Sequence, residues 1–424
     1  MLSDTKRSDF SLWRAIMVKR YTINSEFVFK DCFVTPSVYE GVLQRFDELI
    51  SPFISHLHAR SQQHKARDYM RGLLSDTERK NIESISYFHG EDRQRLQKFI
   101  GQTDWNDELI LDKLTAQIAD ELGEADGILI LDPTSFPKKG KESVGVQRQW
   151  CGRLGKRENC QVATFLAYAS RVEFALVDRR LFLPDVWIEN KARCDKAGIP
   201  KRQQVKKTRH QQALEMINGR GKILPHKWIA GDDEMGKVPW FRRDLRAQNE
   251  SYMFAVSSNI LILDWDAPIK TCKHCGEKHE RDFVNVCDWQ KNIPENKWKT
   301  IKVREGHKGW LKVKLTTCRV RAKIENEIGD EETLIVSKWR EDNGKPRCDY
   351  YLSWSNEPTD LHEYARVIKQ AYRIEESFRR AKSECGLAEY QVRNWIGWHH
   401  HVALSLLTLW FLTVELLNQK KAYR

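Results

Sequence analysis

Residues 127–132 read Gly-Ile-Leu-Ile-Leu-Asp, a short apolar run that stops at an acid. The same arrangement returns in residues 227–232, which read Lys-Trp-Ile-Ala-Gly-Asp. Apolar runs of this length predict buried strands, and each run would place an aspartate, Asp132 or Asp232, where its strand ends. Strand ends form the sheet edge at which ligands bind in α/β proteins, so these carboxylates are candidates for one site. The structural alternative is that each aspartate caps the turn that follows it.

Helical and strand patterns surround these two runs. Apolar residues recur at helical spacing in residues 46–54 and 111–122, and the Ser-Asp-Thr-Glu of residues 75–78 resembles a helix start. Further helices are predicted at residues 208–218, 361–385 and 399–420. Strands are predicted at residues 144–150, 160–169, 172–182 and 251–263, with a hairpin turn at residues 152–159. The predicted class is α/β, with consecutive strands that suggest an antiparallel start to a mixed sheet.

These patterns divide the chain into four predicted parts. Residues 1–124 form a helical N-terminal region, and residues 125–263 form the first part of a core sheet. Residues 264–354 are polar, alternate in hydropathy at residues 310–324, and read as a β-rich insertion. Residues 355–424 complete the core with two helices.

Composition limits the function classes. The 424 residues include 71 Lys and Arg against 59 Asp and Glu, a formal charge of +12, so a polyanion such as nucleic acid is a suitable partner. Hydrophobic residues make up 41%, which excludes a mainly disordered chain. The ten cysteines are scattered through a long chain that shows no secretory signal, which favours reduced thiols in the cytosol. The longest apolar run, residues 402–414, is too short for a bilayer and predicts a buried helix.

A third acid lies on the helix predicted at residues 361–385. Ile374, Phe378, Ala381 and Cys385 recur at helical spacing and form its predicted buried stripe. Glu375, Arg379 and Lys382 repeat on the neighbouring face, which would suit an anionic substrate held beside a metal. The alternative is an ordinary helical ion pair.

Three converging acids suit phosphodiester hydrolysis. This reaction needs a nucleophile at neutral pH and compensation for the charge on a pentacovalent phosphate. Two Mg²⁺ ions roughly 4 Å apart supply both. Mg²⁺ prefers carboxylate oxygens and keeps several water ligands, so three acids suffice to hold the pair.

Several ordered blocks share one resemblance. They comprise residues 71–80, 131–150, 158–162, 165–170, 228–236 and 374–399. Together these blocks resemble bacterial insertion-sequence transposases, in particular the insertion-sequence family numbered seven hundred and one, which is allied to family four. The likeness runs from about residue 45 to residue 415.

The resemblance implies a ribonuclease-H-like core with a DDE triad and cut-and-paste transposition. By motif position the triad falls on Asp132, Asp232 and Glu375, which would also ligate the metal. Two Mg²⁺ ions are implied, for which Mn²⁺ can substitute. Asp233 and Glu234 compete for the second position, and Glu376 competes with Glu375. We prefer Asp232 because Gly236 then follows four residues later, as in the family.

Clustered cations near such a site would neutralise DNA phosphates. The predicted DNA contacts are Lys138, Lys139, Lys141, Arg148, Arg153, Arg157, Arg373, Arg379 and Lys382. A second basic stretch at residues 201–209 is a further candidate. Groove-reading residues are expected within the helical N-terminal region, which we therefore interpret as DNA-binding.

The expected partner is double-stranded DNA, both the element ends and the target, bound by a homodimer that assembles on DNA. The expected location is the bacterial cytoplasm, in association with the nucleoid and without a membrane. Two other classes compete with a transposase. One is a domesticated DNA-binding protein that no longer cuts, and the other is a different ribonuclease-H-like nuclease.

A possible zinc site lies in the predicted insertion. Cys272 and Cys275 have the spacing of zinc ligands, and His279 and Cys287 could complete a tetrahedral structural site. Only one such cysteine pair is present, so the alternative is two partly exposed thiols.

Overall fold

Within the described residues, five helices precede the first strand. The structure, a computed structural model, describes residues 41–267, 281–306, 309–324, 327–340 and 346–422. The helices are α1 (Val42–Ile54), α2 (Arg60–Leu74), α3 (Ile82–His89), α4 (Arg93–Gly101) and α5 (Asp107–Leu122). The helical periodicity of residues 46–54 and 111–122 is thus confirmed. The helix start predicted at residues 75–78 is wrong. Ser75 donates its hydroxyl back to Gly72 at the end of α2, and α3 begins only after its cap, Asn81.

The core sheet is mixed. Its strands are β1 (Ile128–Pro137), β2 (Gln147–Cys151), β3 (Lys156–Ala169), β4 (Phe174–Leu181), β5 (Trp228–Gly231) and β6 (Tyr252–Val256). β3 pairs antiparallel with β1 along one edge, and with β2 and β4 along the other. β5 pairs parallel with β1, and β6 pairs parallel with β5. The antiparallel start and the parallel continuation are consistent with a ribonuclease-H-like core.

Short helices connect these strands. They are α6 (Asp185–Ile188), α7 (Lys191–Lys196), α8 (Arg209–Asn218), α9 (Asp233–Gly236) and α10 (Pro239–Ala247). α8 begins at a capping box in which the Thr208 hydroxyl accepts from the backbone of Gln211. α10 begins with Pro239, whose missing N–H costs nothing at a first helical position.

The insertion extends the same sheet. Its elements are β7 (Leu261–Asp264), β8 (Val284–Asn285), α11 (Val286–Lys291), β9 (Lys299–Gly306), β10 (Gly309–Ile324), β11 (Glu327–Arg340) and β12 (Pro346–Trp354). β12 pairs antiparallel with β6 and joins the insertion to the core. The single strand predicted at residues 251–263 is two strands, and β7 pairs with β10 and β8 rather than with β6. We therefore propose that the insertion begins directly after β6, earlier than residue 264.

Three helices complete the chain. They are α12 (Leu361–Ala371), α13 (Arg373–Glu384) and α14 (Trp395–Ala422). The single helix predicted at residues 361–385 is interrupted at Tyr372, whose N–H lies a long 3.4 Å from the carbonyl of Ile368. The Tyr372 hydroxyl donates to Asp349 on β12, a contact that hydropathy patterning does not register.

The predicted buried helix at the C-terminus is confirmed. Residues Trp395–Lys421 are long and apolar enough to cross a membrane, but 83% of their apolar window is buried inside the protein. Glu415 ends the apolar run, but the helix continues beyond it. The buried Glu415 carboxylate is tolerated there because Arg45 on α1 binds it at 2.7 Å. One hydrophobic core runs from Val42 through β1 to Leu417 and joins the N-terminal helices to the sheet.

Ion pairs that each contain a buried arginine reinforce two joints. Arg220 binds Asp112 on α5 at 2.6 Å and Asp178 on β4 at 2.9 Å, so it ties the N-terminal helices to the sheet. Arg242 on α10 binds Glu332 on β11 at 2.8 Å, with both side chains buried. The Tyr252 hydroxyl also donates to Glu332, so one carboxylate links the core to the insertion.

Arg242→Met should lower the free energy of unfolding by about 3–5 kcal/mol, because it leaves the Glu332 carboxylate buried without its cation. Adding Glu332→Gln should recover part of that loss by removing the charge. Arg243→Met is the matched control, since Arg243 pairs with Glu327 at the surface and should cost less than about 1 kcal/mol. Urea unfolding measures all three. Equal losses for Arg242→Met and Arg243→Met would contradict the buried joint.

His401 should make the fold sensitive to acid. Burial lowers the pKa of His401 to about 3, whereas an unfolded histidine titrates near 6.5. Below about pH 6.5 the unfolded state binds a proton that the folded state does not, so the free energy of unfolding decreases as the pH is lowered. Between about pH 7 and about pH 5, the free energy of unfolding of the wild type should fall by about 2 kcal/mol more than that of His401→Gln. Urea unfolding at the two pH values measures this difference. The exposed His362→Gln is the control, and an unchanged pH dependence for His401→Gln would contradict the argument.

Candidate active site

Strand pairing brings the first two acids together. Asp232 follows the end of β5, but Asp132 lies within β1, which continues to Pro137, so the prediction that this strand ends at Asp132 is wrong. β1 and β5 pair in parallel from Ile128 with Trp228 to Leu131 with Gly231, so Asp132 and Asp232 are the next residues on adjacent strands. Gly231 permits this approach, because a Cβ there would lie 2.9 Å from the carbonyl oxygen of Leu131.

Asp232 also caps the helix that follows it. Its Oδ1 accepts from the backbone N–H of Met235 at 3.1 Å, at the start of α9. The capping interpretation is therefore correct for this residue, and the cap fixes the direction of the carboxylate. Gly236 has a packing role, since a Cβ there would lie 2.1 Å from the carbonyl oxygen of Ala255 on β6.

The third acid reaches the site through the packing of α13. Ile374, Phe378, Ala381 and Cys385 are buried, as their spacing predicts. Phe378 packs edge-on against Phe165 at 5.2 Å, and Phe165 is the partner of Asp132 in the pairing of β1 with β3. Glu375 lies three residues before Phe378, about one helical turn, and its charge acts on Asp132.

One cation lies among these acids. The ammonium of Lys382 donates to the hydroxyl of Thr134 at 2.6 Å, two residues beyond Asp132 on β1. The Asp132 charge raises the pKa of Lys382, but burial and the nearby Arg153 outweigh it and leave that pKa below its usual value. Thr134 was not among the predicted site residues, although its position two residues after Asp132, on the same strand face, could have indicated it.

The acids repel one another. Burial and then the charge of Asp232 raise the pKa of Asp132 well above its usual value, and Glu375 adds to the rise. Burial also raises the pKa of Asp232 to about 7, although the hydrogen bond from the backbone N–H of Met235 acts in the opposite direction. Lys382 compensates only part of this charge, so a cation placed among the three carboxylates would be stabilised.

The neighbouring acids have other partners. Asp233 is exposed, and Arg209 binds the Glu234 carboxylate at 2.7 Å. Arg379 binds the Glu376 carboxylate at 2.6 Å on the exposed side of α13. These contacts favour Asp232 over Asp233 and Glu234, and Glu375 over Glu376.

Most of the predicted DNA contacts are exposed. Five of the exposed residues form no salt bridge with another described residue. They are Lys139, Lys141, Arg148, Arg153 and Arg157. By contrast, the second basic stretch is largely neutralised within the protein, where Lys201, Lys206 and Lys207 pair with Asp195, Asp185 and Glu215.

Two predicted DNA contacts are instead directed into the protein, and their contact with DNA stays a prediction. The Lys138 ammonium donates to the carbonyl of Tyr390 and lies 3.5 Å from the centre of its ring, and burial lowers the pKa of Lys138 to about 8. Arg373 donates to the carbonyls of Ser170 and Val172, in the turn between β3 and β4. That turn lies beside the start of β1, where Ala169 pairs with Ile128, four residues before Asp132.

Two other features lie outside this site. Cys272, Cys275 and His279 fall outside the described residues, and the half-buried Cys287 packs against the insertion core, so the zinc site stays a prediction. His64, Asp68 and Glu91 bring possible ligand atoms within 4.8 Å of one another in the N-terminal helical region. This cluster was not predicted from the sequence, although the spacing of His64 and Asp68 by four residues on α2 could have indicated it.

Comparisons with known proteins agree with this geometry. The family model described as DDE superfamily endonuclease matches residues 52–310, which include Asp132 and Asp232 and end before Glu375. The chain is also 36% identical over 93 residues to a probable transposase for insertion sequence element IS701 from Microchaete diplosiphon. That alignment covers 22% of this chain and 24% of the relative, so the chain matches about a quarter of the relative's length. Because the family model matches more than half of the chain, the protein belongs to the DDE superfamily endonucleases.

Proposed function

We propose that the protein is a transposase that cleaves the ends of an insertion sequence and joins them to target DNA by a cut-and-paste reaction. The observation that carries this proposal is the convergence of Asp132, Asp232 and Glu375 in a DDE superfamily endonuclease. The similarity to a probable insertion-sequence transposase supports the substrate, since it connects the endonuclease family with element ends.

The three acids fit a magnesium site. They offer only carboxylate oxygens, the donors that Mg²⁺ and Mn²⁺ prefer, and their mutual repulsion favours a bound cation. Asp132, Asp232 and Glu375 would therefore hold two Mg²⁺ ions. Bound there, the ions supply an activated oxygen nucleophile and offset charge on the phosphate.

The chain's other residues bind and orient the DNA. Lys382, held by Thr134 beside Asp132, is placed to contact a phosphate oxygen next to the scissile bond. Exposed cations such as Lys139 and Arg153 extend positive charge beyond the site and would follow the DNA backbone. The reaction itself is hydrolysis at the element end followed by in-line attack of the freed 3′-hydroxyl on target DNA. We further propose that a homodimer pairs the two ends, in the nucleoid of the bacterial cytoplasm.

Metal binding should separate the proposed ligands from their neighbours. Asp132→Asn and Glu375→Gln should each weaken Mn²⁺ binding by more than about tenfold in calorimetric titration, because each removes a charged ligand. The matched controls Asp233→Asn and Glu376→Gln should bind as wild type. His64→Gln reports any Mn²⁺ held by the second cluster. Equal losses for Glu375→Gln and Glu376→Gln would contradict the assignment of the third acid.

Catalysis should depend on the same residues. In the presence of Mg²⁺, the wild type should cut DNA that carries the flanking ends of the element and join it to a target plasmid. Asp132→Asn, Asp232→Asn and Glu375→Gln should bind that DNA and reduce both steps by at least about a thousandfold, because each removes stabilisation of transition-state charge. Gel analysis of nicked and joined products measures both steps.

Three outcomes would redirect the proposal. A wild type that binds DNA without cutting would indicate a DNA-binding protein. A wild type that cuts without joining, and without preference for the element ends, would indicate another nuclease. Triad variants that still cut would show that other residues carry the reaction.

A further inference from the structure

The hairpin of β2 and β3 presents an unusual side chain. Trp150 is 61% exposed, and it is the one tryptophan among those described whose side chain is exposed. Burying a large aromatic side chain is favourable, so an exposed tryptophan on a regular strand is a candidate contact for a partner.

Arginines surround Trp150 on its own face of the hairpin. Arg157 on β3 lies directly opposite Trp150 in the strand register, so the two side chains share that face. Arg148 lies two residues before Trp150 on β2 and therefore also points to this face. Both arginines are exposed, and neither forms a salt bridge within the described residues. The face thus combines one flat aromatic surface with two available positive charges.

Contacts at the turn of the hairpin hold it beside the acids. The thiol of Cys151, next to Trp150, lies 3.3 Å from the hydroxyl of Ser135, and that hydroxyl also accepts from the backbone N–H of Arg153. Ser135 is three residues beyond Asp132 on β1. The charge of Arg153 also acts on Lys382, which places the turn of the hairpin near the cation of the candidate site.

We propose that Trp150, with Arg148 and Arg157, forms a stacking site for an unpaired DNA base next to the phosphodiester at the acids. An aromatic ring stacks on any base, and flanking cations neutralise the phosphates on either side, a combination typical of single-strand recognition. The two positive charges favour a polyanion over a second copy of this basic chain. The inference rests on the proposed function, and it assigns base recognition to this hairpin of the core.

Binding of DNA in the absence of metal tests the stacking site separately from cleavage. The probes are a fluorescein-labelled duplex with an unpaired tail and the same duplex fully paired, both in EDTA, followed by anisotropy. Trp150→Ala should weaken binding of the tailed probe by about five- to 150-fold, with a smaller effect on the paired probe. Trp150→Phe should keep most of the affinity because it keeps an aromatic face.

Salt dependence distinguishes stacking from charge. Trp150→Ala removes no charge, so the slope of log affinity against log salt concentration should stay at the wild-type value. Arg157→Gln should reduce that slope by about one. Val186→Ala is the control, since Val186 is 49% exposed on α6, outside the N-terminal helical region, and it should bind both probes as wild type. All variants should keep the wild-type thermal midpoint, because the altered side chains are exposed.

The outcomes separate this inference from the proposed function. The stacking site would be overturned if Trp150→Ala bound the tailed probe with wild-type affinity. It would also be overturned if Trp150→Ala and Trp150→Phe lost the same affinity for that probe. A loss of self-association in Trp150→Ala, measured by light scattering with probe affinity unchanged, would instead make the face a contact between copies. If the wild type never cuts but Trp150→Ala loses the tailed probe selectively, the stacking site stands and the transposase proposal fails.

Discussion

The parallel pairing of β1 with β5 is the constraint on which the candidate site depends. The register that matches Leu131 with Gly231 makes Asp132 and Asp232 the next residues on adjacent strands. Two carboxylates held this close repel each other, so the hydrophobic burial of Ile128–Leu131 and of Trp228–Ala230 must stabilise the arrangement. A divalent cation would remove the repulsion, which connects the strand register directly to metal binding.

The remaining elements bring further side chains to Asp132 and Asp232 or extend the sheet that carries them. α13 buries Phe378 against Phe165 and thereby carries Glu375 and Lys382 to the acids. The hairpin of β2 and β3 is fixed to β1 at Ser135 and brings exposed arginines and Trp150 to the same neighbourhood. The insertion extends the sheet from β6, and the buried pair of Arg242 and Glu332 secures it to the core. Metal, phosphate and base recognition would therefore share one rigid sheet.

Sequence patterning identified the features that local periodicity determines. The apolar runs that end at Asp132 and Asp232 are strands, and the stripe from Ile374 to Cys385 is buried, because strand and helix periods mark their buried faces directly. Features that depend on distant partners were not predictable in this way. Lys138 resembles a DNA contact in sequence but turns towards Tyr390, some 250 residues later. The interruption at Tyr372 and the pairing of β7 with β10 likewise depend on contacts with other strands.

The most direct test of the metal site is anomalous X-ray scattering from crystals of the full chain grown with DNA and Mn²⁺. We expect anomalous density enclosed by the carboxylates of Asp132, Asp232 and Glu375. Density confined to another cluster, such as His64, Asp68 and Glu91, with none among the three acids, would contradict it.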